Sequence, residues 1–186
     1  MGVLLTVLIT CLIIGISLVI IVVTMMKLVT RPIIRDLETF NAEGTKGRAL
    51  YVVRPGLSSF PEAVADQIVK GLTDRDWIVD LGTPSEELAV DLTHYNLLIV
   101  TGPTYGARPQ KHLLEWTENL GDLNHLPIAV QQCAMGSSEA AILVLKEVFE
   151  ARNGNIIGTL GLNTGGNKKA DLLQQAYNFA FKLELS

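Results

Sequence analysis

The first 26 residues of this 186-residue chain carry no charged side chain, and the whole chain holds only two cysteines, three histidines and 6% aromatic residues. Each scarcity excludes something. Cys11 lies in an apolar run and Cys133 at a predicted strand end, so there is neither a disulfide framework nor a metal-ligand spacing. His94, His112 and His125 are scattered and read as partly exposed histidines rather than ligands. All the ionisable side chains follow the apolar run, so the rest of the chain carries the net charge of −4. It presents no strong basic face, and no nucleic-acid partner is expected.

Familiar catalytic signatures are missing as well. The first predicted strand is followed by Arg54-Pro-Gly-Leu-Ser-Ser-Phe-Pro61 rather than G-x-G-x-x-G, which argues against a dinucleotide fingerprint. A phosphate-accepting receiver domain needs acidic residues there and an Asp ending the third strand, where this chain has Arg54 and Thr101. Gly136-Ser-Ser138 lacks the G-x-S-x-G pattern of a serine hydrolase. No general acid, base or nucleophile is named from the sequence.

What is present begins with Val3 to Met26, interrupted only by Thr6, Thr10, Cys11, Gly15, Ser17 and Thr24. At about 1.5 Å per residue, such a helix crosses a hydrocarbon core of roughly 30 Å with some tilt. The expectation is one transmembrane helix over residues 1–27, with membrane lipid as its partner. A cleaved signal peptide and a buried core helix are the rival readings, but no basic n-region or small-residue cleavage site is evident. Lys27, Arg31 and Arg35 follow the run, which predicts a single-pass protein of the cell membrane with its soluble part in the cytoplasm. Cys11 and Gly15 form a small-x-x-x-small pair, a pattern that allows helix pairing and a homodimer.

Residues 28–47 read as a juxtamembrane linker. Ile33, Ile34, Leu37 and Phe40 recur at helical spacing, so Pro32 to Phe40 reads as a short amphipathic helix, lying on the membrane or packed on the domain. Asn41-Ala-Glu-Gly-Thr-Lys-Gly47 reads as a flexible hinge, and a domain over residues 48–186 follows. There, predicted strands at Ala49 to Val53, Trp77 to Leu81, a run ending at Thr101, Leu126 to Gln131 and Asn155 to Leu160 alternate with helices. The helices are Pro61 to Leu72, Ser85 to Leu92, Pro109 to Leu120 with Pro109 in its first turn, Ser138 to Arg152, and Lys168 to Leu185. Each parallel crossover must travel over a face of the sheet, so the expected class is α/β, a three-layer αβα sandwich on a five-stranded parallel sheet. Trp77 and Trp116 read as packing residues.

The most informative stretch is Asn96 to Thr101 running into Gly102-Pro-Thr-Tyr-Gly106. Leu97 to Val100 suit a strand buried on both faces, and Gly102-Pro103 is expected to stop it. Open α/β sheets bind ligands beyond the carboxyl ends of such strands. The turn resembles the G-x-P-T-Y-G turn of flavodoxin-like quinone reductases and flavodoxin domains, a resemblance covering roughly Arg48 to Ser186. It implies strand order 2-1-3-4-5 and an FMN site, with Pro103, Thr104, Tyr105 and Gly106 along the isoalloxazine ring and Tyr105 able to stack on it.

The same resemblance places Gly56, Ser58, Ser59 and Phe60 in the phosphate loop, normally S/T-x-T-G-x-T, where hydroxyls and N–H groups cradle the phosphate. The chain departs from that pattern. Ser59 replaces the glycine, and Pro61 replaces the final threonine and removes a donor. Ser58 and Ser59 serve either the phosphate or helix capping, and Arg54 serves either the phosphate or a surface carboxylate. Cys133 and Gly136, in the turn after the fourth strand, are implied as further ring contacts, with a buried inert thiol as the alternative for Cys133. Asn163-Thr-Gly-Gly166 closes the same rim or is only a turn.

The implied function is a membrane-anchored FMN protein passing electrons to or from a membrane or cytoplasmic redox partner, as a shuttle or a small quinone-type reductase. The departures at Ser59 and Pro61 leave a second reading, a flavin-free flavodoxin-like module acting as a membrane-anchored interaction or regulatory subunit. An FMN-dependent oxidoreductase of a specific metabolite is a third.

Overall fold

The computed structural model describes residues 2–31, 33–85, 88 and 91–183. Two compact units divide the chain, Met1–Arg31 and Pro32–Ser186.

The first unit is one helix, α1 (Gly2–Thr30). Its residues Gly2–Val29 have a mean hydropathy of 3.1, long and apolar enough to cross a membrane. It is apolar on every face. The Thr6 hydroxyl donates to the Gly2 carbonyl at 3.0 Å and that of Thr10 to the Thr6 carbonyl at 2.9 Å. These bonds satisfy polar groups that lipid would leave without a partner.

In the second unit the elements run β1 (Glu38–Phe40), β2 (Gly47–Val53), α2 (Phe60–Thr73), β3 (Trp77–Gly82), β4 (Leu97–Tyr105), β5 (Arg108–Pro109), α3 (Lys111–Glu118), β6 (Pro127–Ala134), α4 (Glu139–Glu150), β7 (Asn155–Asn163) and α5 (Lys169–Lys182). The sheet order is β1-β3-β2-β4-β6-β7, and the five parallel strands within it follow the expected 2-1-3-4-5. Alternation along the strands sends Tyr51, Val53, Leu97, Ile99 and Ala129 to the face covered by α2 and α5. Leu50, Val52, Leu98, Val100 and Val130 pack on the opposite face with α3 and α4 residues. Leu97 to Val100 are wholly buried, and at about 1.5–3 kcal/mol for each buried aliphatic side chain this run anchors both layers. Trp77 and Trp116 are core residues.

Several expectations need correction. Glu38–Phe40 is not part of an amphipathic helix but an edge strand, antiparallel to β3. The compact unit therefore takes in much of the segment expected to be a linker. The stretch expected to be a hinge is fastened: Asn41 Nδ2 donates to the Trp77 carbonyl at 3.1 Å, and the Lys46 N–H to the Asp76 carbonyl at 3.0 Å. The sheet has seven strands rather than five, because β1 and β5 add antiparallel pieces. Gly102-Pro103 does not stop the third parallel strand, which continues to Tyr105 because Pro103 stays in register with Cys133 of β6. Pro109 lies in β5, so α3 starts later and is capped by Gln110, whose Oε1 accepts the N–H groups of His112 and Leu113. The helix expected over Ser85 to Leu92 falls largely on residues outside those described, and the closing helix ends at Lys182.

Buried Asp80 fixes the edge of the sheet. Thr39 donates to its Oδ1 at 2.6 Å, Arg48 Nε to its Oδ2 at 2.6 Å, and the Tyr95 hydroxyl to Oδ2 at 3.0 Å. Burial raises the Asp80 pKa, but the bonds from Arg48, Thr39 and Tyr95 outweigh it and hold the carboxyl below its ordinary value.

Candidate functional site

The rim at the carboxyl ends of β2, β4 and β6 is assembled by the sheet register. Val53 is level with Thr101, the Arg54 N–H donates to the Thr101 carbonyl at 2.8 Å, and Pro103 is level with Cys133. The loops after β2 and β4 then touch. A Cβ on Gly56 would lie a tight 3.2 Å from the Pro61 ring and in ordinary contact, 3.5 Å, with that of Pro103, so the loop passes closely between the two rings. The Leu57 N–H donates to the Tyr105 hydroxyl at 3.2 Å.

Tyr105-Gly-Ala-Arg108 is a two-residue hairpin with φ of 57° at Gly106 and 62° at Ala107, the geometry of a type I′ turn. It returns the chain as β5, with Thr104 opposite Pro109 and Tyr105 opposite Arg108. Tyr105 is half-buried and Gly106 exposed at the tip. The Thr104 hydroxyl oxygen is buried and has no hydrogen-bond partner among the described residues.

On β6, the buried Cys133 Sγ accepts a hydrogen bond from Gln131 Nε2 at 3.2 Å. Burial pushes the thiol up to about 11, with the Gln131 bond opposing. Beyond it Met135, Gly136 and Ser137 are exposed, and the Thr164 N–H reaches back to the Ala134 carbonyl at 2.8 Å. Asn163 to Gly166 thus packs against the same rim, as its place after the last strand suggested.

Ser58 and Ser59 are exposed, Ser58 Oγ accepts the Phe60 N–H at 3.4 Å, and Ser59 occupies the N-cap of α2 without a side-chain cap bond. Phe60 is buried and belongs to the core cluster that also holds Val64, Ile68 and, at the rim, Cys133. Arg54 is 1% exposed, a buried rather than a solvated guanidinium. Burial lowers its pKa, and the nearby Tyr105 opposes this.

The sequence reading missed a set of buried polar groups under the rim. Tyr51 and Thr101 hydroxyls lie 2.8 Å apart, and Gln131 and Gln132 are wholly buried. The signal was there: two adjacent glutamines end an otherwise apolar strand. Among the described residues no group of three or more His, Cys, Asp or Glu side chains gathers as a metal site.

No family model matches the chain, and no curated protein sequence does. Solved structures do. The flavodoxin of Streptococcus pneumoniae TIGR4 superposes with a TM-score of 0.58 at 18% identity, covering 73% of this chain and 95% of that one. Flavodoxin 2 from Bacillus cereus gives 0.57 at 20% identity over 72% and 94%, and Megasphaera elsdenii flavodoxin 0.58 at 19% identity over 71% and 98%. The fold of the second unit is flavodoxin-like.

Proposed function

We propose that the protein binds FMN at this rim and carries electrons as a membrane-anchored flavodoxin-like protein. The observation that carries the reading is the meeting of the loops after β2 and β4 at the rim, where half-buried Tyr105 accepts the Leu57 N–H and the buried Thr104 hydroxyl oxygen has no hydrogen-bond partner among the described residues. The ring end fits a flavin: Tyr105 offers a face, Thr104 a polar contact, and Gly106 and Gly136 allow close approach of backbone. At the phosphate end the chain offers the exposed hydroxyls of Ser58 and Ser59 beside the N-terminus of α2. FMN supplies the redox step when bound, while the chain binds it, orients it and shields it from water.

The structural neighbours support this reading as flavodoxins, one described in its oxidised form and another in its two-electron reduced form. The anchor is α1, whose length and hydropathy suit a bilayer, and Lys27, Arg31 and Arg35 favour a cytoplasmic domain. Confinement near the bilayer raises the effective concentration of a membrane redox partner.

A flavin-free interaction module is the second reading. Its support is specific: the Leu57 N–H is already bound by Tyr105, and Pro55 and Pro61 have no N–H to give. The test is the visible spectrum of the purified full chain in detergent before and after adding FMN and removing the excess. Retained flavin absorbance supports the carrier; a colourless protein that retains none supports the module.

A further inference from the structure

The sheet has two unlike edges. On one side β1 is a three-residue strand bearing Glu38, short and charged as protected edges are. On the other, β7 is nine residues long, Asn-Ile-Ile-Gly-Thr-Leu-Gly-Leu-Asn, without charge or proline, and among the described residues nothing pairs with its outer side. An irregularity in its pairing with β6 falls near its start, after which Gly158 to Asn163 run regularly. A groove flanks the strand on each face. One, of about 590 Å³, is lined by Glu139, Ile142, Leu143 and Lys146 of α4 with Thr159 and Gly161. The other, of about 510 Å³, is lined by Ile157 and Leu160 with Gln175, Asn178, Phe179 and Lys182 of α5.

We propose that β7 pairs antiparallel with β7 of a second copy of this chain, joining two sheets about a two-fold axis at Leu160. Such an axis, perpendicular to the sheet, brings like faces together and runs each element against its own reversed copy. The sequence suits that reversal. Gly158 falls opposite Leu162 and Thr159 opposite Gly161, small against large on the same face. The α4 stripe reads Glu139, Ile142, Leu143, Lys146, so reversal sets each Glu139 against the second copy's Lys146 and Ile142 against Leu143. The α5 stripe Gln175, Asn178, Phe179, Lys182 sets Lys182 against Gln175, with no like charges opposed. Charge complementarity and the uncharged edge therefore favour a second copy over an extended peptide from another protein. The pairing does not depend on the flavin reading, because it uses β7, α4 and α5 rather than the Tyr105 turn, although Gly136 and Asn163 at the rim also line the α4 groove.

The test uses the full chain in detergent. Light scattering should give a dimer, and Thr159→Lys, which puts two cations beside the axis, should raise its dissociation constant at least tenfold while the circular dichroism spectrum stays unchanged. Glu139→Lys and Lys146→Glu alone should each weaken the dimer, and the double swap should restore it. In a Cys11→Ser background, Thr159→Cys should yield a covalent dimer with a short bis-maleimide. A monomer at all concentrations, or a dimer that Thr159→Lys and both charge reversals leave intact, overturns the proposal. Capture of a different protein by Thr159→Cys overturns it too.

Discussion

The Tyr105 hydroxyl accepts the Leu57 backbone N–H at 3.2 Å, tying the turn after β4 to the loop after β2 across 48 residues of sequence. One side chain thus closes the rim, and in the proposed function it is also the ring against which the flavin stacks.

Tyr105→Phe keeps the face and removes the acceptor. It should lower stability by about 0.5–1 kcal/mol, at the low end for a neutral hydrogen bond because Leu57 is exposed, and should leave flavin affinity nearly unchanged. Tyr105→Ala removes the face and should weaken flavin binding by about 0.5–1.5 kcal/mol, roughly two- to thirteenfold. Urea denaturation and FMN titration separate the two effects.

Ala107 holds φ at 62° in the hairpin after Tyr105, a left-handed conformation that costs a non-glycine residue about 1–2 kcal/mol. Glycine relieves this but loses about 0.5–1 kcal/mol in chain entropy. Ala107→Gly should therefore stabilise the protein by about 0.5–1 kcal/mol, read as a rise in the urea midpoint.

The positive φ at Ala107 also marks where the sequence reading ended. The five parallel strands were legible as apolar runs because both of their faces are buried, and the order followed from the resemblance at the Tyr105 turn. Glu38–Phe40 was not legible: two exposed residues and a half-buried Phe40 that fell in a helical spacing gave no strand signal, and the strand pairs with β3 where Thr39 meets Asp80. The continuation through Pro103 was hidden because proline usually ends a strand, whereas here the register with Cys133 carries it on. The burial of Phe60, in the first turn of α2, was not legible from its place in a polar loop.

Asp80 should give the protein an acid limb. Its folded pKa lies below the unfolded value, so its contribution is fully present above the unfolded pKa of about 3.9 and is lost as pH falls through the folded one. Asp80→Asn should cost about 1.5–3 kcal/mol at neutral pH, the range for hydrogen bonds to a charged group, and should flatten the stability profile between pH 5 and 2. Urea midpoints across that range test this.

Cys133, with its thiol pushed up to about 11, should resist alkylation in the folded protein. At pH 8 only roughly a thousandth of such a group is thiolate. In a Cys11→Ser background, iodoacetamide should label Cys133 only after denaturation; rapid labelling of the folded protein would mean the rim opens that far.

The most direct test of the central claim is a flavin fluorescence titration of the full chain in detergent, comparing the native protein with Tyr105→Ala. Saturable quenching of FMN by the native chain, displaced to higher protein concentration by the substitution, is the expected result. FMN fluorescence that stays unquenched at tens of micromolar native protein, or quenching that Tyr105→Ala leaves unchanged, would contradict a flavin held against Tyr105.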